Sequence, residues 1–337
     1  MKVRAKYLTA LVGIAVSVYC ILDLVDSLDW NKVAGFLSTA KVSYLVIAIF
    51  LTVTSYLLRA LRWKQMFKNP TVGFFESYRS LISGFFVNNI LPARAGEVYR
   101  AYRFGRATGY KGSFTLATIF IERIADGFFI SLIFLLFCTK QFSSKLAAEP
   151  LALVSSAFFA LAGFSFVAYK FRNFFCSICD QAEGYFKFRF AKRAVDIVRG
   201  FVLGFSILTF ANVASIVILS CAIWSIELGV FTCCFLAYST ELTLPEVATA
   251  LVSANFSSLI PSAPGAIGVI EKVATGYMSR MGVAPEVAFA GISTQHIIQY
   301  LVVGIPGVFF VSKAGIATKT IDDDTTPQQR ECNIGRH

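Results

Sequence analysis

Residues 88–100 read NNILPARAGEVYR and follow LISGFFV at 81–87, seven residues that hydrocarbon would accept. The chain then places a proline, a glycine, two arginines and a glutamate within thirteen positions, which lipid would not accept. A helix broken at membrane depth must have its freed backbone groups satisfied by protein or by water in a cavity. We therefore expect residues 74–106 to form a re-entrant hairpin, with Asn88, Asn89, Pro92 and Gly96 marking the break.

The rest of the chain supplies the membrane for such a hairpin. Of 337 residues, 56% are hydrophobic and 15% charged, well below the roughly 25% charged residues of soluble domains. Mean hydropathy is +0.66. About 20 apolar residues cross the hydrocarbon core, and uncharged runs approaching or exceeding that length recur at 7–22, 42–58, 150–169, 200–226 and 247–270, with a further run at 287–312 interrupted only by His296. The formal charge of +11 is no sign of nucleic-acid binding, because the Lys and Arg residues flank the apolar runs. The basic start has the look of a signal peptide but lacks a small-residue cleavage site, and is read as a retained first helix. Most of the eight cysteines lie in apolar runs, and the single C-x-x-C at Cys176 and Cys179 has no second pair, so neither a metal nor another cofactor is expected.

Charges on the connections orient the runs, since short loops rich in Lys and Arg stay cytoplasmic. Lys2, Arg4 and Lys6 place the N-terminus inside, Asp23, Asp26 and Asp29 open an interfacial helix outside, and the next run lands inside at Arg59, Arg62, Lys64 and Lys68. A full crossing by 74–91 would put Arg94, Arg100, Arg103, Arg106 and Lys111 outside; a hairpin that turns back keeps all five inside. Residues 113–138 then exit and 150–170 return. The basic segment 170–199 forms amphipathic structure inside, 200–226 exits, and Glu227, Glu241 and Glu246 lie outside. The last run, 286–312, returns. The whole reads as an all-α polytopic membrane protein with about six transmembrane helices and two re-entrant helical hairpins, its membrane domain at 1–312 and a polar, disordered cytoplasmic tail at 313–337.

The second hairpin comes from an internal match. ESYRSLISGFFVNNILPARAG from Glu76 aligns with EVATALVSANFSSLIPSAPG from Glu246, setting Pro92 on Pro261 and Gly96 on Gly265 once a residue is dropped. Downstream, Glu122, Arg123 and Asp126 have the spacing of Gln295, His296 and Gln299. The repeats, about 74–138 and 244–312, enter from opposite sides under the topology above, an arrangement used by secondary transporters. Chance likeness of two apolar segments is the competing account.

Intramembrane charge needs a reason. Glu122 and Asp126 share a helix face, and Arg123 reaches Asp126 at i, i+3. With Gln295, His296 and Gln299 they read as a polar seam or proton path; equally, they read as a structural charge cluster tying the helix to the hairpin through Arg94 or Arg100. Arg94, Arg100 and Arg103, with Glu97 beside them, carry the planar fork suited to phosphate; the alternative is plain charge bias toward the cytoplasm. In the second motif, Pro261, Pro264, Gly265 and Gly268 exclude a continuous helix, and Glu271 follows at helical distance. A kinked helix competes. His296 taken alone reads more readily as a satisfied interior histidine than as a proton carrier.

The motifs N-x-I-L-P-A-R-A-G-E-V-x-R, I-E-R-I-A-D-G and L-I-P-S-A-P-G-A-I-G-V-I-E together resemble the flippase-like membrane region of the lysylphosphatidylglycerol synthase family, over about residues 8–312. The resemblance implies movement of lipid between leaflets of the cytoplasmic membrane, with phospholipid or polyprenyl-phosphate-linked sugar as the partner. It implies roles for Pro92, Arg94, Gly96, Glu97 and Arg100, for Glu122, Arg123 and Asp126, and for Pro261, Pro264, Gly265, Gly268 and Glu271. Nothing here resembles the soluble aminoacyl-transferase domain of the full synthases, so lysyl transfer is not expected. His296 stands where an arginine was expected. Two functions follow: a transporter of an anionic or phosphate-bearing lipid, or an accessory subunit that docks a cell-envelope enzyme through 170–199. A third, an intramembrane enzyme, has no H-E-x-x-H, Walker A or nucleophile-elbow motif to support it, though Asp or Glu with Arg could act on a lipid phosphate.

Overall fold

Where the sequence is apolar at every turn the chain forms long helices, and where proline, glycine or a capping side chain intervenes it breaks them. The computed structural model describes residues 2–67, 72–91, 94–139, 145–185 and 188–321, with side-chain surroundings for all of these except 2–10, 145–148, 183–185, 189–190 and 313–321. Helix α1 (Lys2–Ser27) ends at a bend of 89° into α2 (Trp30–Ser38), whose start is capped by Asp29 accepting from the amides of Asn31 and Lys32. Then come α3 (Val42–Gln65), α4 (Phe74–Ile90), α5 (Ala95–Thr108) and α6 (Gly112–Ile133), the last prolonged by a π turn, Phe134–Cys138. Next are α7 (Lys145–Lys170), α8 (Arg172–Tyr185), α9 (Arg189–Gly204) and α10 (Phe210–Leu236). The chain closes with α11 (Leu244–Ser257), α12 (Val269–Arg280) and α13 (Pro285–Ile321). Helix α13 carries on past the expected end of the membrane domain, and the remaining tail, 322–337, lies outside the described residues.

Packing is the reverse of a soluble protein's. On α3, Thr52, Ser55, Arg59 and Arg62 are buried, while Val42, Val46, Phe50, Val53 and Leu57 at three- and four-residue steps face outward. Among the described residues four helices are long and apolar enough to cross a membrane: α3, the 149–170 part of α7, α10 and the 285–312 part of α13. The bent α1–α2 pair makes a fifth. Helix α6 has the length, but Glu122, Arg123 and Asp126 in its middle set it apart from these. The chain is an all-α polytopic membrane protein.

The hairpin limbs are shorter. At 17, 14, 14 and 12 residues, α4, α5, α11 and α12 reach at most about 26 Å at 1.5 Å per residue, short of the ~30 Å hydrocarbon core. Helices α4 and α5 fold back on each other around Leu91–Arg94, and α11 and α12 around Ser258–Gly268. Gly96 makes the first turn-back close enough: a Cβ there would collide with the carbonyl oxygen of Gly84 and with Asn88.

Contacts along α13 show that the two hairpins point at each other. The base of the first, Phe75 and Tyr78, packs on Phe310, with ring centroids 6.0 and 6.1 Å apart. The tip of the second lies further up the helix, Glu271 on His296 and Pro264 on Tyr300, and its base runs directly into the start of α13, with Val283 donating to the carbonyl of Met278. Helix α6 repeats the pattern: it meets α5 through Glu122 and α11 at its far end, where the π turn packs against Val247, Ala248 and Leu251.

Candidate functional site

Both tips converge on one cavity of about 200 Å³. Arg94, at the tip of the first hairpin, donates from Nη2 to the carbonyl of Ser258 in the second break, at 3.0 Å. Its backbone is left-handed, φ 52°, a conformation that a residue with a Cβ takes only at a cost and that concentrates at working sites. The second break carries the same feature at Gly265 (φ 70°), Ala266 (φ 58°) and Gly268 (φ 83°). Two of these are glycines, for which the conformation is free.

Behind Arg94 lies a charge network drawn from four helices. Arg100 of α5 grips Glu122 of α6 with both Nη atoms, at 3.1 and 2.8 Å, and its guanidinium lies 3.7 Å from the centroid of the Trp63 ring. Both partners are buried, at 2% and 0% exposure. Asp126 is bracketed by three arginines: Arg59 at 3.3 Å, Arg62 at 2.8 Å and Arg123 at 3.7 Å. The Arg62 contact is ionic without hydrogen-bond alignment. Arg59 also meets Glu227 of α10 at 3.1 Å, and Arg123 reaches Glu97 at 3.4 Å and Glu122 at 3.2 Å. Pairing of this density is what makes buried charge tolerable.

The two halves share a pattern at their second limbs. In α5 the N-cap is Arg94 and the third helical residue Glu97, paired with Arg123 of the next helix; in α12 the N-cap is Gly268 and the third helical residue Glu271, paired with His296 of the next helix, Nδ1 to Oε1 2.5 Å. Glu271 also accepts from the amide of its own cap, Gly268, at 2.7 Å. Measured from those caps, Arg94 corresponds to Gly268, so the Gly96–Gly265 match is five residues out of register there. The second break is longer and holds an extra turn of 3₁₀ helix, Pro264–Ala266. The anticipated arginine is replaced by His296 without loss of the pair.

The expected residues divide. Arg94, Arg123, Asp126, Gln295 and Gln299 line the cavity, with Gln295 donating to Gln299 at 3.2 Å. Glu97 and Glu122 stand behind Arg123. Arg100 is sealed in the α5–α6 seam, and Arg103 sits at the hairpin base, 3.3 Å from Glu76. Glu271, Gly268 and His296 face an apolar groove of about 430 Å³ on the opposite side of the second hairpin. Of the expected breaks, Asn88 and Asn89 are still helical and Gly96 is already helical; Asn88 Oδ1 instead accepts from the amide of Gly96, at 2.7 Å, holding the turn shut. Pro92 lies outside the described residues. Pro261 stands in the second break as expected.

One sequence expectation is overturned. Arg59 and Arg62 were assigned to a cytoplasmic landing and Glu227 to the outer surface, yet all three are in the interior network. Their signal was periodicity, because Ser55, Arg59 and Arg62 share one face of α3, and Ser55 also donates to Glu227 at 2.6 Å. Glu227 was readable as interior too, since the apolar run continues beyond it to Ala237. Trp224, Asn255 and Ser258 complete the wall; Trp224 carried no motif, and Asn255 and Ser258 lie in the repeated segment without being singled out there.

The family model described as the lysylphosphatidylglycerol synthase TM region matches residues 10–307. The chain belongs to that family. Relatives within reach of this lysylphosphatidylglycerol synthase TM-region chain include a UPF0104 membrane protein of Pyrococcus horikoshii, 23% identical over 91% of this chain and 97% of the relative. Another, from Methanothermobacter thermautotrophicus, is 23% identical over 92% and 97%, and one from Methanocaldococcus jannaschii is 26% identical over 68% and 96%. No solved structure matches.

Proposed function

We propose that the chain carries an anionic, phosphate-bearing lipid between leaflets of the cytoplasmic membrane, without catalysing a reaction, and that its N- and C-termini are cytoplasmic. The observation that carries the reading is Arg94. It is exposed, it sits where two opposed hairpins meet, and among the described residues no carboxylate lies within ion-pair reach of it. A guanidinium held this way is suited to bidentate capture of a phosphate. The paired residues behind it keep the path polar, and the apolar helix faces outside leave the tails in lipid. Two halves of opposite insertion allow alternating access by rocking about the fixed cavity. Docking of a cell-envelope enzyme through α8 and α9 would require no such cavity.

The test is lipid movement by purified protein in liposomes with tail-labelled phosphatidylglycerol. Movement should require the protein and fall about tenfold in Arg94→Gln, equivalent to ~1.4 kcal/mol, with the variant folded as before. No movement by the intact protein would leave the docking role in its place.

A further inference from the structure

The two hairpins are fastened to the helix that follows them by different chemistry. Glu97, the third residue of α5, meets Arg123 of α6, whereas Glu271, the third residue of α12, meets His296 of α13. Arginine stays charged at every pH a cell meets, and histidine changes charge between about pH 5 and 8. Three carboxylates are buried among the described residues: Glu122, Asp126 and Glu271. The first two rest on arginines, and Glu271 alone rests on a histidine.

Both oxygens of Glu271 are taken, one by His296 Nδ1 and the other by the amide of Gly268. On the imidazole Nε2 remains: among the described residues it has no hydrogen-bond partner, and the ring lines the apolar groove. A proton taken up there converts a neutral imidazole, hydrogen-bonded to the carboxylate through Nδ1–H, into an imidazolium ion-paired with it; release at the same atom reverses the step. The neighbouring charges are committed elsewhere. Lys272 of α12 pairs with Asp23 of α1, Arg280 at the far end of α12 lies over Tyr277, Lys32 of α2 pairs with Asp29, and Glu246 of α11 serves the Thr243 cap at the hairpin base. The arginines of α3 and α6 are held in the cavity network. The other titratable groups on this side are Tyr300, its ring 5.0 Å from the imidazole, and the buried thiol of Cys20 on α1.

We propose that Glu271 and His296 form a proton-binding site that clamps the tip of the second hairpin to α13 while His296 is charged and loosens it when His296 is neutral. The neutral state leaves an interior carboxylate without a cation, which a low-dielectric interior opposes. A second polar hold of the tip on α13, Tyr300 Oη donating to the carbonyl of Pro264, is long at 3.4 Å. The left-handed backbone at Gly265 and Gly268 provides hinges. The clamp is complete below the histidine's titration and is lost as pH rises through it, while the Glu97–Arg123 clamp of the first hairpin holds throughout. The groove runs along α13 from Phe289 to Leu301, and in the orientation proposed above its Phe289 end is the outer one, so the proton is exchanged with the outer side. The use of this clamp in lipid movement rests on the transport reading; its chemistry does not.

The chain has two histidines, His296 and His337, so His337→Gln leaves a single imidazole to follow by NMR of the labelled full chain in lipid nanodiscs. Its signals should titrate between about pH 5 and 8. Spin labels at Ile267→Cys in the second break and Ile305→Cys on α13, both exposed positions, read the clamp in a cysteine-free background. Their separation should lengthen across that pH range in the parent. In His296→Arg, which copies the permanent pair of the first half, it should stay short at every pH, and in His296→Gln, which keeps a hydrogen bond without a charge, it should stay long. Lipid movement in liposomes should fall about tenfold in His296→Arg and lose its dependence on pH. An imidazole that does not titrate in this range, or a separation that changes with pH in both variants as in the parent, overturns the proton clamp. Movement with the same pH dependence in the parent and His296→Arg overturns its role while leaving transport standing. A clamp that responds as expected in a protein that moves no lipid at any pH overturns the transport reading alone.

Discussion

Arg94 and Arg100 stand six residues apart and have opposite surroundings. Arg100 is sealed between Glu122 and Trp63, so removing either charge strands the other in the interior. Breaking a buried pair by taking one partner costs about 3–5 kcal/mol. Glu122→Gln is therefore expected to lower the midpoint of thermal unfolding in detergent markedly. Arg94→Gln should leave that midpoint close to the parent's, because the lost contact is a single bond to a carbonyl at an exposed tip. Equal destabilisation by the two changes would show that both arginines are structural. The distinction is not legible in PARAGEVYR itself. It depends on which residues of α3 and α6 face each arginine, and those lie far away in the chain.

At the scale of elements, the hairpins depend on close backbone approach. Gly96→Ala would drive a Cβ into the carbonyl of Gly84, and overpacking of this kind costs about 1–3 kcal/mol. The expected result is a less stable protein with weakened lipid movement. Gly276, inside α12, has open space where its Cβ would go, and Gly276→Ala should be neutral or stabilising by up to about 1 kcal/mol. Thermal unfolding of the pair checks this, and the reverse order would contradict the packing described. The hairpins were readable from proline, glycine and a charge count because those signals act locally. The second break was misregistered by five residues because a longer break with an extra 3₁₀ turn leaves no mark in a residue-by-residue match. Arg59 and Arg62 were misread for a related reason: a loop arginine and an interior arginine near a helix end look alike until Asp126 and Glu227 are seen to face them.

On the scale of the whole molecule, alternating apolar runs and basic connections sufficed for an all-α polytopic protein, since the bilayer admits few other solutions for such a sequence. The cavity was only half visible, because it is assembled from residues of widely separated helices. What unites the account is the proposal that the hairpins, which meet at their tips, enter the membrane from opposite faces. Single-cysteine variants in a cysteine-free background test this directly, with a membrane-impermeant thiol reagent added to sealed cells or to inverted vesicles. Lys111→Cys, at the base of the first hairpin, and Ser279→Cys, at the base of the second, are both exposed positions. Position 111 should react only from the cytoplasmic side and position 279 only from the outer side; labelling of both from one side would contradict the opposed insertion and the transport path built on it.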